Sequence, residues 1–221
     1  MNEVVLTSDD SSSIYSSRFD ALYHSKHGAI QESQHVFIKS GLQEFIHLRK
    51  TQELNVLEIG FGTGLNALLT LIEAESRNIN ISYKGLEAYP ITDDLFHKLN
   101  YSSILDCENE FNSIHSTPWN EVSTISRSFT LFKKKCLFQE FEDEKRFDVI
   151  YFDAFAPNTQ EELWNLDMMK KMYSLSRNGS ILVTYCAKGV VRRTMQEAGF
   201  EVSRIQGPPG KREMLRAIRT T

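Results

Sequence analysis

The chain has 221 residues, 41% of them hydrophobic, a size and composition that suit one α/β domain with a short additional segment. Its 25 Lys and Arg against 29 Asp and Glu give a net charge of −4, so the overall composition gives no reason to expect nucleic-acid binding. Three cysteines without CxxC spacing and six dispersed histidines indicate neither a disulfide framework nor a metal site. The polar start and the lack of a long uncharged apolar segment argue against secretion or a membrane span. We therefore expect a cytoplasmic protein without a metal.

The first part of the chain differs in pattern from the rest. Residues 1–41 mix serines, aromatic and polar residues without a regular period, and we interpret them as an amino-terminal appendage packed on a main domain of residues 42–221. In the main domain, a strand is predicted at residues 55–59 and a helix at residues 65–76. The glycine-rich stretch EIGFGTG lies between the two and predicts a tight turn.

Strands and helices then alternate along the main domain. The predicted strands are ISYKGLEAY, FTLFKKK, FDVIYFDAF and SILVTYC, and the predicted helices are TDDLFHKLNY, EELWNLDMMKKMYSLS and VVRRTMQEAGF. The simplest interpretation of EVSRIQ and EMLRAIR is an antiparallel edge hairpin with a long connection, GPPGKR. Repeated βα units predict a Rossmann-like, doubly wound sheet, mostly parallel with an antiparallel edge strand, whose ligand lies beyond the carboxyl ends of the strands.

The glycine turn is the first candidate site. Gly60, Gly62 and Gly64 alternate, whereas the dinucleotide fingerprint is G-x-G-x-x-G, so the spacing favours a nucleotide-type ligand that lacks a diphosphate. Glu87, at the end of the next strand, is placed to accept hydrogen bonds from both hydroxyls of a ribose. Glu58 would hold the turn or a charged amino group of the ligand. The alternatives are a purely structural turn and an exposed acid at a strand end.

The segment DAFAP, after the strand FDVIYFDAF, is the second candidate site. An acid at the mouth of a buried strand is costly without a partner, which makes Asp153 a candidate functional group; the alternative is a helix N-cap. Phe155 can cover a flat ligand. Both segments follow strands, so a parallel sheet would bring them to the same edge.

Basic residues are concentrated near the carboxyl terminus. From Lys188 onward, eight basic residues against three acidic ones give a net charge of +5, and the remainder of the chain carries −9. This asymmetry predicts either one basic face on an acidic body or charges scattered over a solvated surface. The run of lysines at residues 133–135 is expected to be solvated at a strand edge.

Four separated blocks resemble one known family: EIGFGTGLNALLT, YFDAFAPNTQEELWN, LVTYCAKGVVRRTMQEAGF and GPPGKREML. With the opening SSRFDALYHSKHGAIQESQHVFIKSGL, they are similar to the methyltransferases that complete 5-methylaminomethyl-2-thiouridine at the tRNA wobble position. The resemblance implies a class I methyltransferase fold, S-adenosylmethionine as cofactor, and methylation of the primary amine of 5-aminomethyl-2-thiouridine in the anticodon loop. Many members carry a second, flavin-dependent oxidase domain. A chain that ends at Thr221 leaves no room for it and resembles the stand-alone form.

The resemblance gives the candidate residues their expected roles. Asp153 would accept a hydrogen bond from the substrate amine and assist its loss of a proton. The residues expected to bind the cofactor are Glu58, Gly60, Gly62, Gly64 and Glu87. Those expected to wall the uracil or hold anticodon phosphates are Phe155, Tyr185, Lys188, Arg192, Arg193, Lys211 and Arg212. Residues 136–139 lack the acid that class I enzymes often place near the adenine, which leaves backbone groups as candidates.

Two other functional classes stay open. A polyamine aminopropyltransferase shares the fold, an acid after a strand and amine chemistry, although it would not need the basic carboxyl-terminal segment. A non-catalytic tRNA-binding module would have a vestigial nucleotide-binding fold without catalytic activity. The intact glycine turn with Glu87 and Asp153 argues against the module. The sequence does not indicate the oligomeric state.

Overall fold

Two β-sheets organise the chain in the computed structural model, which describes residues 2–220. The strands of the small antiparallel sheet are β1, Glu3–Leu6; β2, Ser12–Ser16; and β3, Ala21–Leu22. The strands of the large sheet are β4, Glu53–Ile59; β5, Asn80–Glu87; β6, Val122–Ser126; β7, Phe129–Lys135; β8, Phe147–Phe152; β9, Ser176–Thr184; β10, Glu201–Gln206; and β11, Glu213–Ile218.

Helices connect the strands and cover the large sheet. The α-helices are α1, Ala29–Ser33; α2, Glu44–Arg49; α3, Leu65–Arg77; α4, Asp93–Phe96; α5, Tyr101–Leu105; α6, Glu108–Ser116; α7, Leu166–Leu175; and α8, Gly189–Glu197. A π-helical stretch, Gln34–Gln43, joins α1 to α2, and 3-10 turns lie at Phe138–Glu140 and Glu161–Leu163. Among residues 2–220, none of these helices combines the length and apolarity that crossing a bilayer requires.

The large sheet has the strand order β10-β11-β9-β8-β4-β5-β7-β6. The central strands β4, β5, β7, β8 and β9 are parallel, and β11 pairs antiparallel with β9 and β10. The prediction of a mostly parallel sheet with an antiparallel edge is confirmed. β6 adds a second antiparallel edge, beside β7, which no sequence signal indicated because its polar sequence VSTIS has no apolar alternation. The strand order reverses at β4 and β8, where parallel α/β sheets bind ligands.

The core lies on both faces of the large sheet. Every residue of β8 is buried, and alternate side chains point to opposite faces: Val149 and Tyr151 join one apolar cluster, and Ile150 and Phe152 join the other. The continuous apolar run of β8 is therefore explained by burial on both faces of the sheet, as expected for a parallel strand covered by helices on both sides. The last residue of the run, Phe152, brings Asp153 to the carboxyl edge of the sheet.

The predicted boundary at residue 41 falls inside a helical stretch that is continuous from residue 29 to residue 49. Ile14 of the small sheet and Phe37 of the π-helical stretch are buried in the same cluster as residues of the large sheet. Met1 and Thr221, the end residues of the two predicted units, lie outside the described residues. The division into 1–41 and 42–221 stays a prediction.

Lys133 is buried, although the run of lysines at residues 133–135 was expected to be solvated. Lys133 is only 2% exposed, because Nζ donates to the carbonyl oxygens of Ile114 (2.8 Å) and His115 (3.0 Å) at the end of α6 and lies 5.2 Å from the ring centroid of Trp119. Burial lowers the pKa of Lys133 to about 8. The expectation of a solvated run was wrong at this position, where a long-range contact with a helix end decides the environment.

Candidate active site

A cavity of about 280 Å³ opens at the carboxyl ends of β4, β5 and β8. This volume is near the lower end of small-molecule sites, which begin at about 300 Å³. The predicted site residues that line it are Gly60, Gly62, Glu87, Asp153, Phe155, Tyr185 and Lys211. The two sequence segments singled out above, EIGFGTG and DAFAP, therefore meet at one edge of the sheet, as the topology requires.

The glycine turn is shaped by close contacts with other parts of the chain. A Cβ on Gly60, whose φ is +94°, would lie 2.4 Å from the carbonyl oxygen of Asp153. A Cβ on Gly62, whose φ is +50°, would lie 2.9 Å from the ring of Tyr23. These two glycines let the turn pass between the end of β8 and the ring of Tyr23. Gly64, the N-cap of α3, does not line the cavity.

Glu87 holds the glycine turn through its carboxylate. Oε2 accepts a hydrogen bond from the backbone N–H of Gly62 (2.9 Å), and Oε1 accepts one from that of Tyr89 (2.8 Å). Burial raises the pKa of Glu87. A carboxylate offers about four acceptor positions, so two remain for ligand hydroxyls on the cavity side.

Asp153, Asn66 and Glu58 form one hydrogen-bonded group. The Nδ2 of Asn66 donates to Asp153 Oδ2 (2.9 Å) and to Glu58 Oε1 (2.8 Å), and the hydroxyl of Tyr83 donates to Glu58 Oε2 (2.7 Å). Glu58 is fully buried behind Asn66 and does not line the cavity. Its observed contacts hold α3 to β4 and β5, so it supports the site from behind.

Burial changes the acidity of this group. Burial, and then the Glu32 carboxylate, raise the pKa of Asp153 to about 8. Burial also raises the pKa of Glu58 well above its ordinary value, and the negative charge of Asp153 adds to the effect. Asp153 therefore binds a proton more readily than an ordinary carboxylate, and a further positive charge that enters the cavity would favour release of this proton.

Aromatic rings roof the cavity. Phe155 stacks on Phe19 with ring centroids 4.4 Å apart and planes inclined by 27°, and the edge of Tyr23 packs on it at 5.1 Å. The carbonyl oxygen of Phe155 accepts a hydrogen bond from Trp164 Nε1 (2.8 Å), which fixes the backbone of the loop after β8. Phe155 lines the cavity, and its role in covering a flat ligand stays a prediction.

The predicted basic residues separate into two groups. Lys211 lines the cavity, where its Nζ lies 2.6 Å from Glu32 Oε1. The other four do not line the cavity: Lys188, Arg193 and Arg212 are exposed, and Arg192 is half-buried. They lie in the loop after β9, on α8 and in the β10–β11 loop, close to the carboxyl edge of the sheet.

Known proteins resemble this chain in sequence and in structure. Residues 131–220 match the family model described as S-adenosyl-L-methionine-dependent methyltransferase. The chain is 28% identical over 222 residues to the tRNA 5-methylaminomethyl-2-thiouridine biosynthesis bifunctional protein of Marinomonas sp., with 95% of this chain and 33% of that protein covered. The protein of the same description from Hydrogenovibrio crunogenus is 27% identical over 224 residues, with 96% and 32% covered. The crystal structure of MnmC2 from Aquifex aeolicus matches 100% of this chain and 71% of that chain, with a TM-score of 0.82 and 22% identity.

The chain has the class I methyltransferase fold. The fold class predicted from the sequence is confirmed. The family model over residues 131–220 and the relatives named above support the resemblance predicted from the sequence and S-adenosylmethionine as cofactor. The chain spans about a third of the length of the curated relatives named above. Among residues 2–220, no group of three or more His, Cys, Asp or Glu could hold a metal ion.

The residues present fit S-adenosylmethionine, which carries a ribose, an ammonium and a sulfonium. Asn66 Oδ1 is buried and lacks a hydrogen-bond partner among the described residues, so it offers an acceptor to a ligand donor. Glu87 offers acceptors for hydroxyls, and the ionised carboxylate of Asp153 would favour positive charge. The cofactor would therefore be held chiefly by Glu87, Asn66 and the glycine turn.

The segment expected near the adenine also lies in the cavity wall. Its residues Cys136, Leu137, Phe138 and Gln139 all line the cavity. They offer apolar side chains, an amide and backbone groups, and no carboxylate. Recognition of the adenine by backbone groups stays a prediction.

Several cavity residues were not indicated by the sequence patterns. They are Phe19, Tyr23, Glu32 and Asn66. Asn66 had a usable signal, because it is the single amide in the apolar run LNALLTL directly after the glycine turn. The other three come from the predicted appendage, whose mixed composition gives no periodicity from which to infer a position.

We expect Glu87→Gln to weaken S-adenosylmethionine binding by about ten-fold or more, because an amide offers one acceptor oxygen where the carboxylate offers two. Calorimetric titration measures the affinity. Glu53→Gln, an exposed residue at the opposite end of β4, is the matched control and should bind like the parent. Parental affinity in Glu87→Gln would mean that Glu87 only tethers the turn.

The raised pKa of Asp153 predicts a pH-dependent stability in the absence of ligands. The pKa of Asp153 is about 8 in the folded chain, against an ordinary value of 3.8. The stability that this difference contributes is fully present below pH 3.8 and is lost as the pH rises through about 8. Asp153→Asn cannot titrate, so its melting temperature relative to the parent should rise by roughly 3 °C or more between pH 5 and pH 8. A difference that stays constant over this range, measured by differential scanning fluorimetry, would contradict the buried acid.

Proposed function

We propose that this protein methylates the primary amine of 5-aminomethyl-2-thiouridine at the tRNA wobble position, with S-adenosylmethionine as the methyl donor. The observation that carries the proposal is the half-buried Asp153 carboxyl, held by Asn66 in a cavity that fits the cofactor. The relatives described as proteins of 5-methylaminomethyl-2-thiouridine biosynthesis support this substrate.

The reaction makes a clear demand on the protein. When bound, S-adenosylmethionine would supply a methyl group on a positively charged sulfur, and the sulfur would keep the electron pair of the broken S–C bond. The substrate nitrogen must be neutral to attack, and once the new N–C bond has formed it is a positively charged ammonium that must lose one proton to give the neutral secondary amine. We propose that Asp153, which lines the cavity, accepts that proton. Asn66 fixes one carboxyl oxygen, which leaves the other free to receive it.

The environment of Asp153 suits this role. An alkylammonium ion has a pKa of about 10, and an ordinary carboxylate is too weak a base to take its proton readily. Because burial raises the pKa of Asp153 to about 8, the difference is much smaller. The same burial excludes water, which would otherwise keep the amine solvated and protonated.

The aromatic roof and the exposed basic residues would hold the remainder of the substrate. Phe155, already stacked on Phe19, offers a face for the thiouracil ring, since single-stranded bases are bound by stacking. Lys188, Arg193 and Arg212 are exposed near the cavity edge and can contact phosphates without reading sequence. We propose the anticodon loop as the part of tRNA that they contact.

Transfer of a labelled methyl group to two tRNAs tests the proposed function. The first carries 5-aminomethyl-2-thiouridine at the wobble position and the second carries an unmodified uridine there. We expect label only on the first, and the labelled nucleoside should be 5-methylaminomethyl-2-thiouridine after digestion. Equal labelling of both tRNAs, or of neither, would contradict the proposed substrate.

Asp153→Asn should lower turnover on the aminomethylated tRNA by about 10²-fold, the loss typical of a positioned acid–base group, while S-adenosylmethionine still binds. Steady-state kinetics and calorimetry provide the two measurements. Asp148→Asn is the matched control, because Asp148 is a buried acid five residues earlier, at the opposite end of β8. Once folded, it should keep parental turnover.

Two outcomes would overturn this role for Asp153. Parental turnover in Asp153→Asn would show that the carboxyl takes no part in proton transfer. Loss of S-adenosylmethionine binding would place it on the cofactor side of the cavity.

Charge reversal of the exposed basic residues tests the contact with tRNA. Arg193→Glu with Arg212→Glu should weaken tRNA binding and reduce the slope of log affinity against log salt by about two, one for each lost phosphate contact. Lys50→Glu with Arg127→Glu makes the same charge change at exposed residues beside the amino ends of β4 and β7 and should leave the slope unchanged. Equal effects in both double variants, measured by filter binding, would indicate only non-specific attraction.

A further inference from the structure

Lys211 contributes a cationic side chain to the wall of the cavity. Among the described residues that line it, Lys211 is the one cationic side chain, because burial lowers the pKa of His24 to about 4 and keeps that ring neutral. The acidic side chains in the lining are Glu32, Glu87, Asp153 and Glu162. A single ammonium therefore shares the cavity with several carboxyl groups.

The contacts of Lys211 direct its charge inward, away from the protein surface. Its Nζ lies 2.6 Å from Glu32 Oε1 and 4.0 Å from the ring centroid of Tyr185. Glu32 is itself fixed, because its Oε2 accepts a hydrogen bond from the backbone N–H of Ser25 (2.8 Å). This arrangement leaves Lys211 poorly placed to bind a tRNA phosphate, the role that its sequence position suggested.

The same contacts join Lys211 to the loop that carries Asp153. The hydroxyl of Tyr185 donates to the carbonyl oxygen of Ala154 (2.9 Å), the residue that follows Asp153. Lys211 packs on the face of that tyrosine ring. The β10–β11 loop, the end of β9 and the end of β8 are thus held together on one side of Asp153.

We propose that Lys211 is a positioning residue that favours the ionised, proton-accepting form of the Asp153 carboxyl, and that Glu32 limits this effect by pairing with the Lys211 ammonium. The importance of an ionised Asp153 rests on the proposed methylation of an amine. The electrostatic relation between the three side chains does not, and it can be measured without substrate.

Charged and titratable groups face Asp153 from every neighbouring element. They are Glu32 from α1, Glu58 from β4, Tyr83 and Glu87 from β5, Tyr185 after β9, and Lys211 from the β10–β11 loop. Glu32 and Glu87 raise the pKa of Asp153, whereas Lys211 lowers it. Removing Lys211 and removing the charge of Glu32 should therefore have opposite effects, which a general loosening of the cavity would not produce.

Carbon-detected NMR titration of the Asp153 carboxyl in the full chain, without tRNA or S-adenosylmethionine, tests the proposal. The signal is assigned by its loss in Asp153→Asn. We expect Lys211→Met to move the midpoint upward by about one pH unit and Glu32→Gln to move it downward. Lys211→Arg should restore the parental midpoint, and Lys50→Met, an exposed control, should leave it unchanged.

Two results would overturn the proposal. One is an unchanged midpoint in Lys211→Met, with amide spectra that show an intact fold. The other is a shift of the same sign in Lys211→Met and Glu32→Gln, which would indicate altered packing. If the titration gives the expected signs but no methyl transfer to aminomethylated tRNA is found, the proposed function fails and the role of Lys211 in setting Asp153 ionisation stands.

Discussion

The site depends on one amide, that of Asn66, which holds together two carboxyl groups, the fully buried Glu58 and the half-buried Asp153. A carboxylate removed from water is unstable unless it is compensated, so the pKa of both acids is raised and responds strongly to any nearby charge. The backbone is also closely packed here, because the carbonyl oxygen of Asp153 lies against the turn after β4, where a Cβ at position 60 would collide with it. The glycine at position 60 is thus needed to bring the acid to the end of β4.

The amino-terminal residues complete the cavity as well as adding to the core. The small sheet supplies Phe19 to the aromatic roof, and α1 supplies Glu32 to the wall opposite Asp153. A large sheet with only its own helices would leave this side of the cavity open to water. The lower water content strengthens every electrostatic interaction inside, including those that tune Asp153. Whatever its boundary, the amino-terminal segment is therefore part of the chemistry.

The sequence predicts those features that depend on local pattern. A buried parallel strand needs apolar residues on both faces, and a tight turn needs glycine, so β8 and the turn at Gly60 were recognisable, as was the meeting of their carboxyl ends. The environments of Lys133 and Lys211 were not, because one depends on a helix end and the other on Glu32, more than 150 residues earlier. The polar edge strand β6 was missed for a related reason, since an exposed edge imposes no alternation.

The positions of the basic residues separate two electrostatic tasks. Lys188, Arg193 and Arg212 are exposed, where water and salt screen their charges and where a polyanion can reach them. Lys211 comes from the same charged region of the sequence but is half-buried against Glu32 and Tyr185. A phosphate that reached Lys211 would have to displace a carboxylate already in place and would enter a cavity lined by acids. The acidic interior therefore favours cationic groups such as an amine or a sulfonium, while the exposed basic residues favour phosphates, and a nucleic acid with a cationic side chain on one base satisfies both.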